Sequence, residues 1–169
     1  MALMSQPLSP AGRALRERVT SPLLFPLWLL MKLPAALFAG VRIQALDAER
    51  CLCTVPYGWR STNPFRSTYF AAQAMAAEMS TGALVLLAAA DSGVPYSTLI
   101  VDMQATFGKK ATARSTFTCE GGAAVFAALA EARAAGEARQ VTLETVGRLP
   151  NGEEVSRFRF TWSVKARRG

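Results

Sequence analysis

The sequence predicts an α+β fold in which a largely antiparallel sheet wraps around one long central helix. Two observations indicate it: an alanine-rich helical stretch, NPFRSTYFAAQAMAAEMSTG at residues 63–82, and strand patterns on both sides of that stretch. The predicted order is strand–strand–helix–three strands–helix–two strands, which is typical of this class. At 169 residues the chain is long enough for one domain with its own hydrophobic core.

Residues 1–40 are expected to form an N-terminal helical extension of the main domain, which spans residues 41–169. Ser9 is a typical N-cap and Pro10 stands at the first helical position, so a basic helix is expected over residues 8–20. The boundary of the extension falls just ahead of the first predicted strand.

The apolar stretch of residues 21–40 resembles a membrane anchor in its composition. Three prolines, Pro22, Pro26 and Pro34, interrupt it, and its longest unbroken apolar run is too short to span a bilayer. We therefore expect two short amphipathic helices over residues 23–38 that pack on the domain. Peripheral contact with a membrane through the same stretch is the alternative.

Two strands, residues 41–46 and 51–57, are expected on either side of the polar turn DAER. The stretch STNP then supplies a capping side chain followed by Pro64 at the first helical position. From there the central helix is expected to run to about Ser80 and to end before Gly82.

Three further strands are expected over residues 82–90, 96–107 and 111–119. The first is continuously apolar, which is typical of a strand buried on both faces. A second helix opens at the Gly-Gly pair that follows these strands and ends at Gly136, a typical position for a C-terminal glycine.

The last two strands are expected to form a hairpin around Asn151-Gly152, because Asn-Gly is the strongest short hairpin signal. In the final strand, apolar side chains alternate with polar ones from Arg157 to Val164. This period of two predicts a sheet with one buried and one solvated face.

The chain contains no histidine, which excludes a His-dependent triad, a His-containing zinc site and a His general base. The three cysteines, Cys51, Cys53 and Cys119, are too few for a zinc site unless a carboxylate completes it. We expect them to be reduced core residues of a cytoplasmic protein, with no metal and no cofactor.

The net charge is +7, and the excess of basic residues lies at Arg13, Arg16 and Arg18 and in residues 165–168. A basic surface could bind nucleic acid, anionic lipid or a phosphorylated ligand. Aromatic residues are not interleaved with the basic ones as they are on a stacking platform, so nucleic-acid binding is not expected.

Glu78 is the one carboxylate of the alanine-rich stretch, and on a helical wheel it ends a stripe formed by Ser67, Ala71 and Ala74. Because it would lie in the last helical turn and near apolar surface, its pKa is expected to be raised. A poorly solvated carboxylate that faces a cavity is a candidate general base or nucleophile.

A structural role for Glu78 is the alternative. In that case its side chain would protrude past the edge of the sheet, or it would pair with Lys109, Lys110 or Arg114 on a neighbouring strand.

The order of elements and one spacing resemble the hotdog-fold acyl-CoA thioesterase superfamily, in particular its phenylacetate-pathway thioesterase-like branch and uncharacterised relatives. In that branch an Asn stands six residues before a His-Gly-Gly at the helix start, and an Asp or Glu nine residues after the His acts on the thioester. Asn63, Tyr69 and Glu78 have this spacing, whereas Tyr69-Phe70-Ala71 stands in place of His-Gly-Gly. The stretch IVDMQATFGKKATARSTFT resembles the two strands that follow the helix in this family.

The resemblance implies a homodimer, or a tetramer built from it, that hydrolyses an acyl-CoA in a groove between two subunits. Glu78 and Asn63 would be the catalytic residues: Glu78 would activate water or attack the carbonyl, and Asn63, with Ser67, would orient substrate or water. Backbone amides near the helix start would bind the thioester oxygen. The basic residues would hold the CoA phosphates. The substrate-binding residues implied are Arg60, Arg66, Ser67, Tyr69, Phe70, Ala71, Lys109 and Lys110.

Two other functions stay open at this point. The loss of the His-Gly-Gly favours a non-catalytic hotdog module that binds an acyl chain, acyl-CoA or acyl carrier protein, whereas the retained carboxylate favours the thioesterase. A membrane-peripheral protein would instead use residues 21–40 with the basic flank from Arg13 to Arg18. We expect a cytoplasmic location, with membrane association following from the last hypothesis.

Overall fold

One long helix packed against one sheet forms the centre of the computed structural model, which describes residues 7–167. Residues 1–6 and 168–169 lie outside the described residues, and with them the beginning of the predicted extension and the last residues of the predicted domain and basic C-terminus. The helices are α1 (Pro10–Thr20), α2 (Leu24–Lys32), α3 (Pro34–Ala39), α4 (Phe70–Ser92) and α5 (Gly122–Ala135). The strands are β1 (Arg42–Leu46), β2 (Cys51–Val55), β3 (Tyr96–Phe107), β4 (Ser115–Cys119), β5 (Arg139–Arg148) and β6 (Glu154–Ala166).

The six strands form one antiparallel sheet in the order β1-β2-β4-β5-β6-β3. Strand β3 is therefore an edge strand, paired along its length with β6 only. In β6 the side chains of Phe158, Phe160, Trp162 and Val164 are buried on the face that packs against α4, as the alternating pattern predicts. The α+β class is confirmed.

The central helix α4 is buried on most of its surface, against β2, β4 and β5 on one side and against α1 and α5 on the other. By length and composition it is the one described helix that could cross a membrane. However, 67% of its most apolar window is buried inside the protein, as in the core helix of a globular fold.

The strand predicted over residues 82–90 is wrong, because these residues continue α4 to Ser92. A short apolar run fits a strand buried on both faces and a buried helix equally well. Alanine and leucine dominate this run, and both favour a helix over an extended chain. The helix ends at Gly93, whose φ of +66° is typical of a helix C-terminus.

The predicted helix start at Pro64 is also wrong, because α4 begins at Phe70 with Tyr69 as its N-cap. Residues 61–69 form a closed loop instead, in which Arg66 adopts a φ of +58° that no helix contains. The loop is held by its own backbone and by Ala111, whose carbonyl accepts hydrogen bonds from the N–H (2.8 Å) and the hydroxyl (3.1 Å) of Thr68. Because the loop engages Ala111 in this way, β4 starts at Ser115 and not at residue 111.

The N-terminal helices pack on the domain. Ser9 is the N-cap of α1, as predicted, and its hydroxyl accepts a hydrogen bond from the N–H of Gly12 at 3.1 Å. The two short helices are present, and α2 buries Phe25 and Leu29 whereas α3 buries Ala36 and Ala39. The predicted amphipathic character of α2 is wrong, since its outward side is also apolar, with Leu27 59% exposed.

Candidate active site

Glu78 lies in the middle of α4, eight residues after its first residue, and not in the last turn as predicted. Its side chain is partly buried and lines a cavity of about 190 Å³ between the helix and the free edge of the sheet. Apart from Glu78 and Thr98, the residues that line this cavity are apolar. They are Trp28, Leu33, Met79, Gly82, Val85, Leu86 and Trp162.

The carboxylate of Glu78 packs over Gly82, one helical turn further along α4. A Cβ built at Gly82 would lie 2.9 Å from Oε1 of Glu78 and 3.4 Å from the indole carbons Cζ2 and Cη2 of Trp162. The indole Nε1 of Trp162 donates its hydrogen bond to Oγ1 of Thr81 at 3.1 Å. The indole N–H is therefore engaged by Thr81.

Burial raises the pKa of Glu78 above its ordinary value of 4.5. The direction is the predicted one, and of the two predicted causes only the nearby apolar surface applies. In mid-helix the carboxylate is far from the negative end of the helix dipole, which acts only within the last turn. Desolvation by the apolar walls of the cavity accounts for the shift.

The alternative ion pairs predicted for Glu78 do not form. None of the ion pairs between residues 7 and 167 includes this carboxylate. Lys109 pairs with Glu153 instead, and Nζ of Lys110 donates to the carbonyl of Phe65 at 3.1 Å.

A second cavity, of about 580 Å³, lies at the N-terminal end of α4. Six of the predicted site residues line it, namely Asn63, Ser67, Tyr69, Phe70, Lys109 and Lys110. The structure thus brings these six together but leaves Glu78 in the other cavity.

Three predicted site residues line neither cavity. Ala71 is partly buried on the first turn of α4, next to the second cavity. Arg60 is exposed near the end of α3, where a Cβ at Gly40 would lie 3.6 Å from its Nη2. Arg66 is exposed on the loop before the helix.

Asn63 and Ser67 hold the loop that leads into α4. Oδ1 of Asn63 accepts hydrogen bonds from the backbone N–H of Phe65 at 3.0 Å and of Ser67 at 3.2 Å. The hydroxyl of Ser67 accepts one from the N–H of Ala111 at 3.1 Å. These contacts are structural, and Asn63 caps a turn of the loop and not the helix itself.

The first turn of α4 offers backbone donors to the second cavity. Its N-cap, Tyr69, makes no side-chain hydrogen bond to the helix, and the first N–H groups of any helix have no partner within the helix. The rings of Tyr69 and Phe70 lie edge to face over this end, with centroids 4.8 Å apart.

Within one chain, the two halves of the predicted site are well separated. Tyr69 and Glu78 are nine residues apart, which corresponds to about 13 Å along the helix axis. A thioester bound at the helix start therefore does not reach the carboxylate of the same chain.

Sequence reasoning missed three residues around Glu78: Gly82, Trp162 and Trp28. A glycine four residues after a carboxylate signals space for that carboxylate on one helical face. This signal was hidden because the predicted helix stopped before Gly82. The two tryptophans are distant in sequence, and only the packing of α2 and β6 brings them to the cavity.

Gln73 was also missed, although it joins the helix start to the sheet. Its Nε2 donates to the carbonyl of Thr68 at 3.0 Å, and its Oε1 accepts from the hydroxyl of Ser156 at 2.8 Å. The side chain is 3% exposed. It fixes the wall of the second cavity.

The cysteines are core residues, as predicted. All three are free and buried, and the sulfurs of Cys51 and Cys53 are 3.8 Å apart. Burial raises the pKa of the Cys119 thiol to about 11 and that of Cys53 well above its ordinary value. Neither thiol is poised as a nucleophile at neutral pH. In residues 7–167, no three acidic or cysteine side chains converge in a way that could hold a metal ion.

Comparison with solved structures identifies the fold. A protein of unknown function from Pseudomonas aeruginosa, described as a probable thioesterase, superposes with a TM-score of 0.71 at 17% identity, covering 95% of this chain and 99% of that one. A thioesterase from Haemophilus influenzae gives 0.58 at 16% identity, with 83% and 88% covered. A mutant thioesterase from Pseudomonas aeruginosa gives 0.62 at 16% identity, with 89% and 98% covered.

A search of curated proteins found no match to this chain. Residues 23–164 match the family described as a domain of unknown function, DUF4442. The matched residues include α2 and α3. The chain therefore belongs to the DUF4442 family and has the hotdog fold, as do these thioesterases.

Proposed function

We propose that this protein is a thioesterase that hydrolyses an acyl thioester with Glu78 as the general base. One observation carries the proposal: the carboxylate of Glu78 is partly buried, makes no ion pair with the described residues, and faces an apolar cavity. The structural relatives described as thioesterases support this class at the level of the fold.

In the proposed reaction, one water molecule supplies the proton that Glu78 accepts and later returns. Glu78 takes a proton from the water, and the resulting hydroxide adds to the thioester carbonyl carbon. Backbone N–H groups at the start of α4 stabilise the oxygen that becomes negative. The C–S bond then breaks, the thiolate takes the proton back from Glu78, and a carboxylic acid and a free thiol leave. A raised pKa makes Glu78 a stronger base for the first step. In the alternative mechanism, the Glu78 carboxylate attacks the carbonyl carbon directly and forms an anhydride, which requires Glu78 in the same place.

A homodimer would bring the two halves of the site together. Strand β3 is an edge strand, and both cavities adjoin it: Thr98 near one end lines the Glu78 cavity, and Phe107 at the other end lines the helix-start cavity. If two copies pair β3 antiparallel about its centre, opposite ends of the strand meet. The Glu78 cavity of one protomer then faces the helix start of the other.

The exposure of β3 supports such a partner. Residues opposite each other in an antiparallel pair point to the same face, so Met103 and Phe107 share the helix-side face with Phe160 and Ser156 of β6. The β6 residues are buried, whereas Met103 is 52% and Phe107 50% exposed. This apolar face would be covered in a dimer.

We propose an acyl-CoA as the substrate, with the acyl chain in the apolar Glu78 cavity and no separate cofactor. Lys109 and Lys110 stand at the rim of the helix-start cavity, where they could hold phosphate groups. Arg66 is exposed nearby in the chain, whereas Arg60 lies toward α3 and is not assigned to the phosphates.

The test is Glu78→Gln, measured against a panel of acyl-CoAs. Loss of a general base is expected to lower kcat by about 10²- to 10⁴-fold. Glu131→Gln, at an exposed carboxylate on α5 outside both cavities, is the matched control and should hydrolyse as the wild type does. Unchanged hydrolysis by Glu78→Gln would remove Glu78 from the mechanism.

A non-catalytic module that binds an acyl chain, acyl-CoA or acyl carrier protein is the second candidate. Phe70 and Ala71 favour it, because their side chains occupy the turn where glycines would let a thioester approach the backbone. This protein would bind the same acyl-CoAs but release no thiol from any of them.

A further inference from the structure

The outward side of α2 is an exposed apolar face. On a helical wheel, five side chains fall within an arc of about 120°. Their exposures are 78% for Leu23, 52% for Leu24, 59% for Leu27, 59% for Leu30 and 72% for Met31. The opposite side of the helix, with Phe25 and Leu29, is buried against the domain, so α2 is anchored while its outer face is uncovered.

An exposed aromatic pair lies at α3, the helix that directly follows α2. Phe38 of α3 is 56% exposed and Trp59 of the loop after β2 is 81% exposed, and their rings lie edge to face at 5.8 Å. Tryptophan is enriched where a protein meets the interface of a bilayer, because its ring is apolar and its N–H polar. We call the α2 side chains and this pair together the α2 surface.

The charges around this surface favour an anionic partner. From Arg18 to Leu46 the chain has no acidic residue, whereas Arg18 and Lys32 are basic and exposed. Arg60, next to Trp59, is exposed as well. A protein partner with an apolar groove would not require this absence of acids, but the anionic headgroups of a membrane would repel any acid placed there.

We propose that the α2 surface binds to an anionic lipid bilayer. Helix α2 has nine residues and is too short to span the hydrocarbon core, so it would lie in the interfacial plane with its leucines directed into the acyl region. The basic side chains would reach the headgroups.

The position of α2 connects this surface with the Glu78 cavity. Trp28 and Leu33, at the inner side of α2 and at its end, line that cavity. A membrane-bound protein would thus present the cavity close to the bilayer. Lipid binding does not depend on thioester hydrolysis. The proposal of membrane binding therefore stays valid if the protein proves not to be a thioesterase.

The test is co-sedimentation of the full-length protein with vesicles. One set is made of phosphatidylglycerol and phosphatidylcholine in equal parts, and the other of phosphatidylcholine alone. Wild type is expected to bind the anionic vesicles, and less so at high salt. Leu27→Glu/Met31→Glu should lower the partition coefficient at least about tenfold, since two exposed apolar side chains lose their burial in lipid.

The matched control adds the same two charges at the same spacing elsewhere. Ala123→Glu/Ala127→Glu lies on the exposed side of α5 and should bind vesicles as the wild type does. Thermal unfolding of each variant checks that it is folded. A second readout avoids mutation of α2: tryptophan emission should shift to the blue on vesicle addition, and less so in Trp59→Phe.

Three outcomes would overturn the proposal. Wild type could stay in the supernatant with both kinds of vesicle, or the α2 double variant could bind as well as the wild type. Light scattering without lipid could also show that the α2 variant has a smaller oligomer than the wild type. In that case a second copy of the chain covers the α2 surface.

Discussion

Oε1 of Glu78 occupies the space that a side chain at residue 82 would need, since a Cβ on Gly82 would stand 2.9 Å from it. The rigid indole of Trp162 lies 3.4 Å from the same Cβ and limits where the carboxylate can move. We expect Gly82→Ala to displace the carboxylate and to lower kcat for thioester hydrolysis about tenfold or more, because small misplacements of a catalytic group are costly.

The free energy of unfolding distinguishes displacement of the carboxylate from a general destabilisation of the fold. Alanine favours a helix over glycine by about 1 kcal/mol. Gly82→Ala in the Glu78→Gly background, where the clash is absent, should therefore raise the free energy of unfolding by that amount in a denaturant titration. In the wild-type background the gain should be smaller. An equal gain in both would show that Glu78 does not need the space over Gly82.

The stability of the protein should depend on pH through Glu78. Its folded-state pKa lies above the ordinary 4.5, so below that value the carboxyl is neutral in both folded and unfolded chains. As pH rises through the folded-state pKa, the buried group must ionise and its contribution to stability is lost. Relative to wild type, Glu78→Gln should thus gain free energy of unfolding as pH rises above 4.5 and then level off. A difference that does not change with pH would contradict the burial of this group.

Complementation between two inactive variants tests the composite site. Glu78→Gln removes the base, and Ala71→Glu puts a negative charge where the thioester oxygen would bind, at a helix end that tolerates an acid well. Each homodimer should be inactive. A randomly mixed dimer population should recover about a quarter of the wild-type rate, because half of the dimers contain one intact site of two.

The same experiment needs a dimer-deficient control. Met103→Asp places a charge on the exposed helix-side face of β3 and should produce monomers in sedimentation velocity. When Glu78→Gln and Ala71→Glu both also carry Met103→Asp, mixing them should restore no activity. Met103→Asp alone, which keeps Glu78 and Ala71, should likewise lose hydrolysis, and an active monomer would show that the site is complete in one chain.

Lys110 should affect the binding of substrates that carry phosphate groups and should not affect the chemical step. Among residues 7–167 its Nζ donates only to the carbonyl of Phe65, whereas Lys109 is engaged by Glu153. We expect Lys110→Ala to raise KM for acyl-CoA about threefold to tenfold, the range for one charge-assisted contact, with kcat unchanged. KM for the corresponding acyl-N-acetylcysteamine thioester, which has no phosphate, should stay the same. An equal rise for both substrates would exclude phosphate binding.

Gln73 should be important for stability, because its carboxamide is the buried link between the helix start and β6. Gln73→Leu would leave the hydroxyl of Ser156 and the carbonyl of Thr68 without their partners. A cost of about 2 to 4 kcal/mol in the free energy of unfolding is expected. The double variant Gln73→Leu/Ser156→Ala should recover part of that cost, and no recovery would argue against the hydrogen bond.

The site was predictable only in part, for reasons that lie in particular residues. The spacing of Asn63, Tyr69 and Glu78 singled out the helix start and the acid. Spacing along a chain does not say that these residues lie in two separate cavities. The edge position of β3, which makes a shared site geometrically feasible, follows from its pairing with β6 and has no local signal.

Features that depend on neighbouring residues in the chain follow from local sequence. The cap of α1 at Ser9, the break between α2 and α3 at Pro34 and the turn at Asn151-Gly152 are such features, because backbone dihedrals and nearby hydrogen bonds control them. For residues 82–90, apolar side chains gain free energy from burial in a helix or in a strand, so the packing of the sheet around α4 acts together with the helix propensity of alanine and leucine to select the helix. The surroundings of Glu78 depend on tertiary packing, because residues distant in sequence form its apolar cavity.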